Sequence, residues 1–297
     1  TLNERFDLSA QLINDYKKFE IALKQVYDLE RILRRIALKT LHPLELDYLG
    51  TSLEAILGIL KAAELKKVPI PKELFDESEA LLLMLKSTFV LDICAKFRKD
   101  QINENLFQRG IFPQIDKIEQ SKQERFSALE HIASHIEALF EESNRSTLSI
   151  EWLESEGHYI TMSKNRFALI EDKLMQSFIT ISDQHYFFKD FSYKHLKNSV
   201  KISASLIEEI SQEITLSNLQ MIALVKQRYD EMLEKIETHY ALTLEHLISF
   251  VGTLDVALSN AKCAVLYNYV RPELLPMQEK GRFIEAIGLR HPLIESR

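Results

Sequence analysis

Between Pro113 and Pro272 the chain has no proline, and only Gly157 and Gly252 among its glycines. These two residue types most often end helices and build turns, so so long a stretch without them must form few, long elements. Residues 193–250 contain neither. Apolar residues there recur at helical spacing: Ile202, Leu206, Ile210 and Ile214 step by four, and Leu219, Ile222, Val225, Tyr229, Met232, Ile236 and Tyr240 continue the stripe. Forty helical residues would make a rod about 60 Å long. Such a rod cannot bury its whole stripe in one compact body, so it runs out of that body or along a coiled bundle. The stripe itself reads as core rather than as a partner-binding seam.

A second period interrupts the helical one. Across residues 147–188 "LSIEW" alternates Leu148, Ile150 and Trp152, "HYITMS" alternates His158, Ile160 and Met162, and "SFITIS" carries β-branched residues. Gly157 in "ESEGH" suits a hairpin turn. The pattern predicts a small antiparallel sheet of about three strands.

Before it, the spacing predicts one helix from residue 8 to about 41, a second from 43 to 65, a third from 72 to about 101 and a fourth from about 114 to 143. His42-Pro43, "KKVPIPKE" and "FQRGIFPQID" supply the breaks. The expected fold is therefore mainly α. A long-helix bundle carries a small antiparallel β insertion between two long antiparallel arms.

The net charge of −7 argues against a protein coated in nucleic acid, yet permits a local basic site. The end of the insertion has that character: Lys189, Lys194, Lys197 and Lys201 lie near one acid, Asp190, and Lys164 and Arg166 follow the second strand beside Ser163 and Asn165. Such a group can hold phosphates without reading bases; as a plain surface it would be scattered solvated lysines. His131 and His135, one turn apart, invite a zinc reading. The catalytic motif needs Glu after the first His, however, and Ile132 stands there with no third ligand evident. His239 and His246 do no better. Cys94 and Cys263 lack metal-ligand spacing and read as reduced, buried thiols. No Gly-rich phosphate loop or nucleophile elbow is present, so no catalytic residue is assigned. "ALLLMLKSTFVLDIC" is cut by Lys86 and too short to span a bilayer, and "TLNERFDLSAQL" resembles neither a signal nor a transit peptide. The expectation is a cytoplasmic protein with no membrane partner.

Six strings in order resemble the MutS family of DNA mismatch-repair proteins. "VYDLERILRRIAL" (26–38) resembles the start of that family's helical lever, and "RGIFPQIDKI" (109–118) the loop before its ascending helix. "GHYITMSK" (157–164) is similar to a strand of its clamp, with His158 in place of an aromatic, and "HLKNSVKI" (195–202) to the Leu-Lys-Asn stretch opening its long descending helix. "LDVALSNAKCAVLYNYVRPEL" (254–274) and "GRFIEAIGLRHPLIES" (281–296) match best.

The resemblance implies a helical lever in 1–146, a β clamp in 147–192, a returning lever in 193–280 and, in 281–297, the first strand region of a truncated ATPase domain. It implies that Lys197 and Asn198 contact the DNA backbone, with Lys164 and Lys194 near neighbours of such positions; Arg166 joins them as part of the same basic group. The segment 164–197 is longer than in typical bacterial members. The fragment would grip double-stranded DNA without being an enzyme itself. Its parent would be a DNA-dependent ATPase using ATP and Mg, nucleoid-associated, a homodimer or a dimer of related subunits, and a partner of downstream repair factors. The alternative is a structural coiled-coil scaffold with no nucleic-acid role.

Overall fold

In a computed structural model the described residues are 1–65, 73–140, 148–181, 183–274, 284–291 and 294. The chain is mainly helical. Helices α1 (Leu2–Leu12), α2 (Tyr16–Leu23), α3 (Leu29–Ala37), α4 (Pro43–Leu65), α5 (Leu74–Thr88) and α6 (Leu91–Cys94) form the body. Helix α7 (Pro113–Glu137) leaves it, and α9 (Ser205–Tyr267) returns. Between them lie β1 (Ser149–Leu153), β2 (Gly157–Ser163), α8 (Lys164–Met175), β3 (Phe178–Ile181), β4 (Gln184–Phe187), β5 (Ser192–His195) and β6 (Ser199–Ser203).

The body is pinned by the residues that made its strings recognisable. Asp28 Oδ1 caps α3 by accepting the Arg31 N–H at 2.9 Å. Glu45, almost fully buried, accepts from Arg35 at 2.8 Å, from Arg31 at 3.3 Å and from the His42 N–H at 2.9 Å. Buried Tyr229 of α9 donates to the Leu41 carbonyl at 3.2 Å, which locks the returning helix to the body. At the start of α7, Gly110 takes φ 93°, its N–H donates to Asp116 Oδ2 at 2.8 Å, and Pro113 occupies the first turn, where its missing N–H costs nothing.

The arms are antiparallel. Arg228 donates to Gln114, Lys122 to Asn218 at 2.8 Å and Arg125 to Glu213 at 2.5 Å, so α9 numbers fall as α7 numbers rise. The stripe of α9 serves two separate cores. Met221, Val225, Tyr229, Leu233 and Ile236 pack into the body, while Leu206, Ile207, Ile210 and Ile214 pack beneath the sheet. Between them residues 215–220 bury nothing, and Leu216 and Leu219 are 58% and 60% exposed. At 63 residues α9 is about 95 Å long. By length and apolar content it is the one described helix able to cross a bilayer, but its buried stripe faces these two cores.

Several boundaries differ from the sequence reading. The first helix is three, broken at residues 13–15 and 24–28, and the third ends at Thr88 before the short α6. The fourth ends at Glu137. The sheet has four strands in the order β1-β2-β6-β5, all antiparallel, with β3–β4 a separate hairpin. Residues 193–203, expected to begin the long helix, lie instead in strands β5 and β6 and the turn between them, so the proposed boundary at 192 falls inside the sheet. "KKVPIPKE" and the boundaries at 146 and 280 lie at or within undescribed residues. Residues 284–291 form no strand and expose Ile284, Ile287 and Leu289. Cys94 is buried, which pushes its thiol up to about 12, whereas Cys263 is exposed on the side of α9 away from buried Ala261 and Leu258.

Candidate nucleic-acid interface at the clamp tip

The sheet's direction is fixed at both ends. At its base, Gly157 turns β1 into β2 at φ 73° against α9. Ser211 Oγ accepts the His158 backbone N–H at 2.7 Å and lies 2.8 Å from His158 Nδ1. At the opposite end Ser163 pairs with Ser199, and the chain turns from β5 to β6 through Leu196, Lys197 and Asn198. That end is the tip, farthest from the body.

One face of the sheet is apolar. Ile160, Met162, Val200 and Ile202 bury against Phe167, Ile170 and Leu174 of α8, and Phe167 packs on Tyr193 and His195 at centroid distances of 5.2 and 5.7 Å. The spacing of Phe167, Ile170 and Leu174 is helical, so this insert folds as an amphipathic helix lying on the sheet.

The structure brings Lys164, Lys197 and Asn198 together. The Lys164 N–H donates to the Asn198 carbonyl at 3.2 Å, and the Leu196 N–H to the Ser199 carbonyl at 2.8 Å. The start of α8 is thereby tied to the β5–β6 turn. Lys197, Asn198 and Arg166 are exposed, Lys164 is half-buried, and no acidic residue lies in 163–166 or 196–198. The Ser163 side chain makes no capping bond to α8, and a helix N-terminus adds positive potential to that of the cations.

The remaining lysines are placed differently. Lys194 is exposed on β5 but pairs with Lys201, on the face of the sheet opposite α8. Lys201 is buried, ion-paired to Glu156 and 3.9 Å from the Tyr159 ring centroid, and its burial lowers its pKa. It is therefore structural. Lys189 sits over Phe187, 5.2 Å from the ring centroid, after the β3–β4 hairpin and away from the tip. His131 and His135 are not joined by a third ligand: His135 stacks on Phe188 at 5.6 Å, and no cluster of metal-ligating side chains occurs among the described residues. The sequence reading missed the backbone bond from Lys164 to Asn198, since two strings far apart in the chain give no sign of meeting.

A helical body, paired antiparallel arms and a small sheet at their end make a lever-and-clamp domain. The family model for MutS domain III matches residues 1–261, and the chain belongs to the MutS family of DNA mismatch-repair proteins. It is 24% identical over 311 residues to a putative DNA mismatch repair protein, a mutS homologue of Acanthamoeba polyphaga mimivirus, covering 98% of this chain and 28% of that protein. It is 25% identical over 301 residues to the DNA mismatch repair protein MutS of Treponema denticola, covering 99% and 31%. A mitochondrial mutS homologue of Sarcophyton glaucum is 30% identical over 152 residues, covering 50% and 15%. The chain thus spans less than a third of the length of these relatives.

Proposed function

We propose that this domain grips the backbone of double-stranded DNA through its clamp tip. The observation that carries the reading is the meeting of Lys164, Lys197 and Asn198 at the outer end of the sheet, with Arg166 exposed two residues further along α8 and no acid in either string, on a chain of net charge −7. Lysine and arginine there attract phosphates, and the Asn198 amide can donate to a phosphate oxygen. Lys194 supplies an outlying cation. Phosphate contacts position without specifying, so binding is indifferent to sequence. The lever then transmits the grip to the rest of a longer, DNA-dependent ATPase. ATP and Mg belong to that remainder, because no Gly-x-x-x-x-Gly-Lys-Ser/Thr string occurs in these 297 residues. The whole protein would work near the nucleoid, as a dimer, with downstream repair factors.

Replacing Lys164, Lys194 and Lys197 by alanine should abolish binding to a short DNA duplex at low salt and leave the circular-dichroism spectrum unchanged. Removing a lysine that touches a phosphate should lower the salt slope by about one, while Asn198→Ala weakens binding with little change of slope. The control carries alanines at exposed Lys17, Lys18 and Lys96 of the body. Equal duplex binding by the two triple variants would refute the clamp-tip assignment.

A further inference from the structure

The cations of the clamp tip do not share one side of the sheet. Lys164 and Arg166 stand in the first turn of α8, which covers the face formed by Ile160, Met162, Val200 and Ile202. Tyr193 and His195 of β5 turn to that same side, where they meet Phe167. Successive residues of a strand point to opposite faces. Lys194, between those two, therefore stands on the other face, in register with Lys201. The exposed turn at 196–198 is the crest between the two sides, and the bond from the Lys164 N–H to the Asn198 carbonyl fixes α8 at its level.

Thickness decides what such a crest can meet. A helix adds about 10 Å on one side of the sheet and the Lys194 side chain stands out on the other, so the two sets of cations lie roughly 15 Å apart. In a DNA duplex the walls of the major groove are about 12 Å apart and those of the minor groove about 6 Å. The minor groove is too narrow for the crest, and the major groove matches it. Charge keeps the duplex at this end. Toward the base, the groove that begins at Lys194 is lined by Glu154, Glu156 and Glu208. Lys201 answers Glu156, and the other two carboxylates leave the base negative. A duplex lying flat along that face would meet them.

We propose that the tip sits across the major groove and engages both backbones that bound it, Lys164 and Arg166 against one and Lys194 against the other. Lys197 and Asn198, on the crest, reach the nearer wall. The proposal rests on the tip gripping DNA at all. It adds that the grip spans two strands, and so recognises duplex geometry without reading sequence.

Fluorescence anisotropy of a labelled duplex, titrated with the intact chain at several salt concentrations, tests this. Arg166→Ala and Lys194→Ala, on opposite faces, should each lower the salt slope by about one. A second duplex carries one strand neutralised with methylphosphonates. Its charged backbone takes the side with two cations, so Lys194→Ala should leave the slope unchanged there. Sugars attached at C5 of the cytosines fill the major groove and spare the phosphates; they should weaken binding by about tenfold. If Lys194→Ala costs about one unit of slope on both duplexes, one backbone touches both faces and the proposal is overturned. It is overturned as well if either variant is silent on the fully charged duplex while Lys197→Ala is not, or if the sugar-bearing duplex binds equally well. If none of the three variants changes the slope, the clamp-tip grip itself is what fails.

Discussion

Gly157 is held by two constraints at once. Its φ of 73° is costly for a residue with a side chain, and an added Cβ would stand 2.5 Å from Ser211 Oγ. Gly157→Ala should destabilise the chain by about 2 kcal/mol, within the range for strained backbone combined with a close contact, read as a lower urea midpoint. An unchanged midpoint would mean the β1–β2 turn is not seated on α9. Its neighbour His158 makes the same contact pH-sensitive. Burial, and then the charge of Lys122, hold its pKa below the ordinary 6.5. His42 and His135 are lowered as well, burial again the main cause. The unfolded chain therefore takes these protons first. Stability from the neutral rings is complete above about pH 6.5 and is lost as pH falls through the folded pKa values. The urea midpoint should drop between about pH 7 and 5, and His158→Asn should flatten part of that drop; a midpoint that rises over this window contradicts the assignment.

At the scale of elements, α9 joins two cores across residues 215–220, which bury nothing. Polar bonds from Lys122 and Arg125 hold α7 alongside that neck. Leu219→Pro removes a helical hydrogen bond and costs about 3 kcal/mol without emptying either core. Calorimetry should then resolve two melting transitions where Leu219→Ala shows one. A single transition in the proline variant would show that something besides α9 couples the cores. The long helix, α4 and the turn at Gly157 were legible in sequence because glycine and proline mark them, or conspicuously fail to. The breaks around Asn14 and Gln25 were not, since apolar spacing runs through them without either residue. In 192–203, Ile202 lies four before Leu206 and so extended the helical stripe backwards, although Tyr193, His195, Val200 and Ile202 also alternate as strands. Pairing with β2 decided between the two periods, and that is a tertiary fact. The basic tip was legible as composition. That Lys201 would be spent on Glu156, while Lys164 met Asn198, needed the fold.

At the scale of the molecule, one unbroken helix runs from the body, which buries it from Met221 onward, out to the sheet at its first turns. Such a rod trades angle for travel. If α9 tilts by about 5° about Tyr229, its start at Ser205, about 36 Å away, sweeps through about 3 Å. That sweep is comparable with the rise from one phosphate to the next along a DNA strand, about 3.4 Å. Adjusting a few side chains around Tyr229 and Leu41 thus displaces Lys197 and Asn198 by about that step, with no hydrogen bond broken along the shaft. The same ratio works in reverse: a load applied at the sheet arrives at the body as torque, multiplied by the length of the arm.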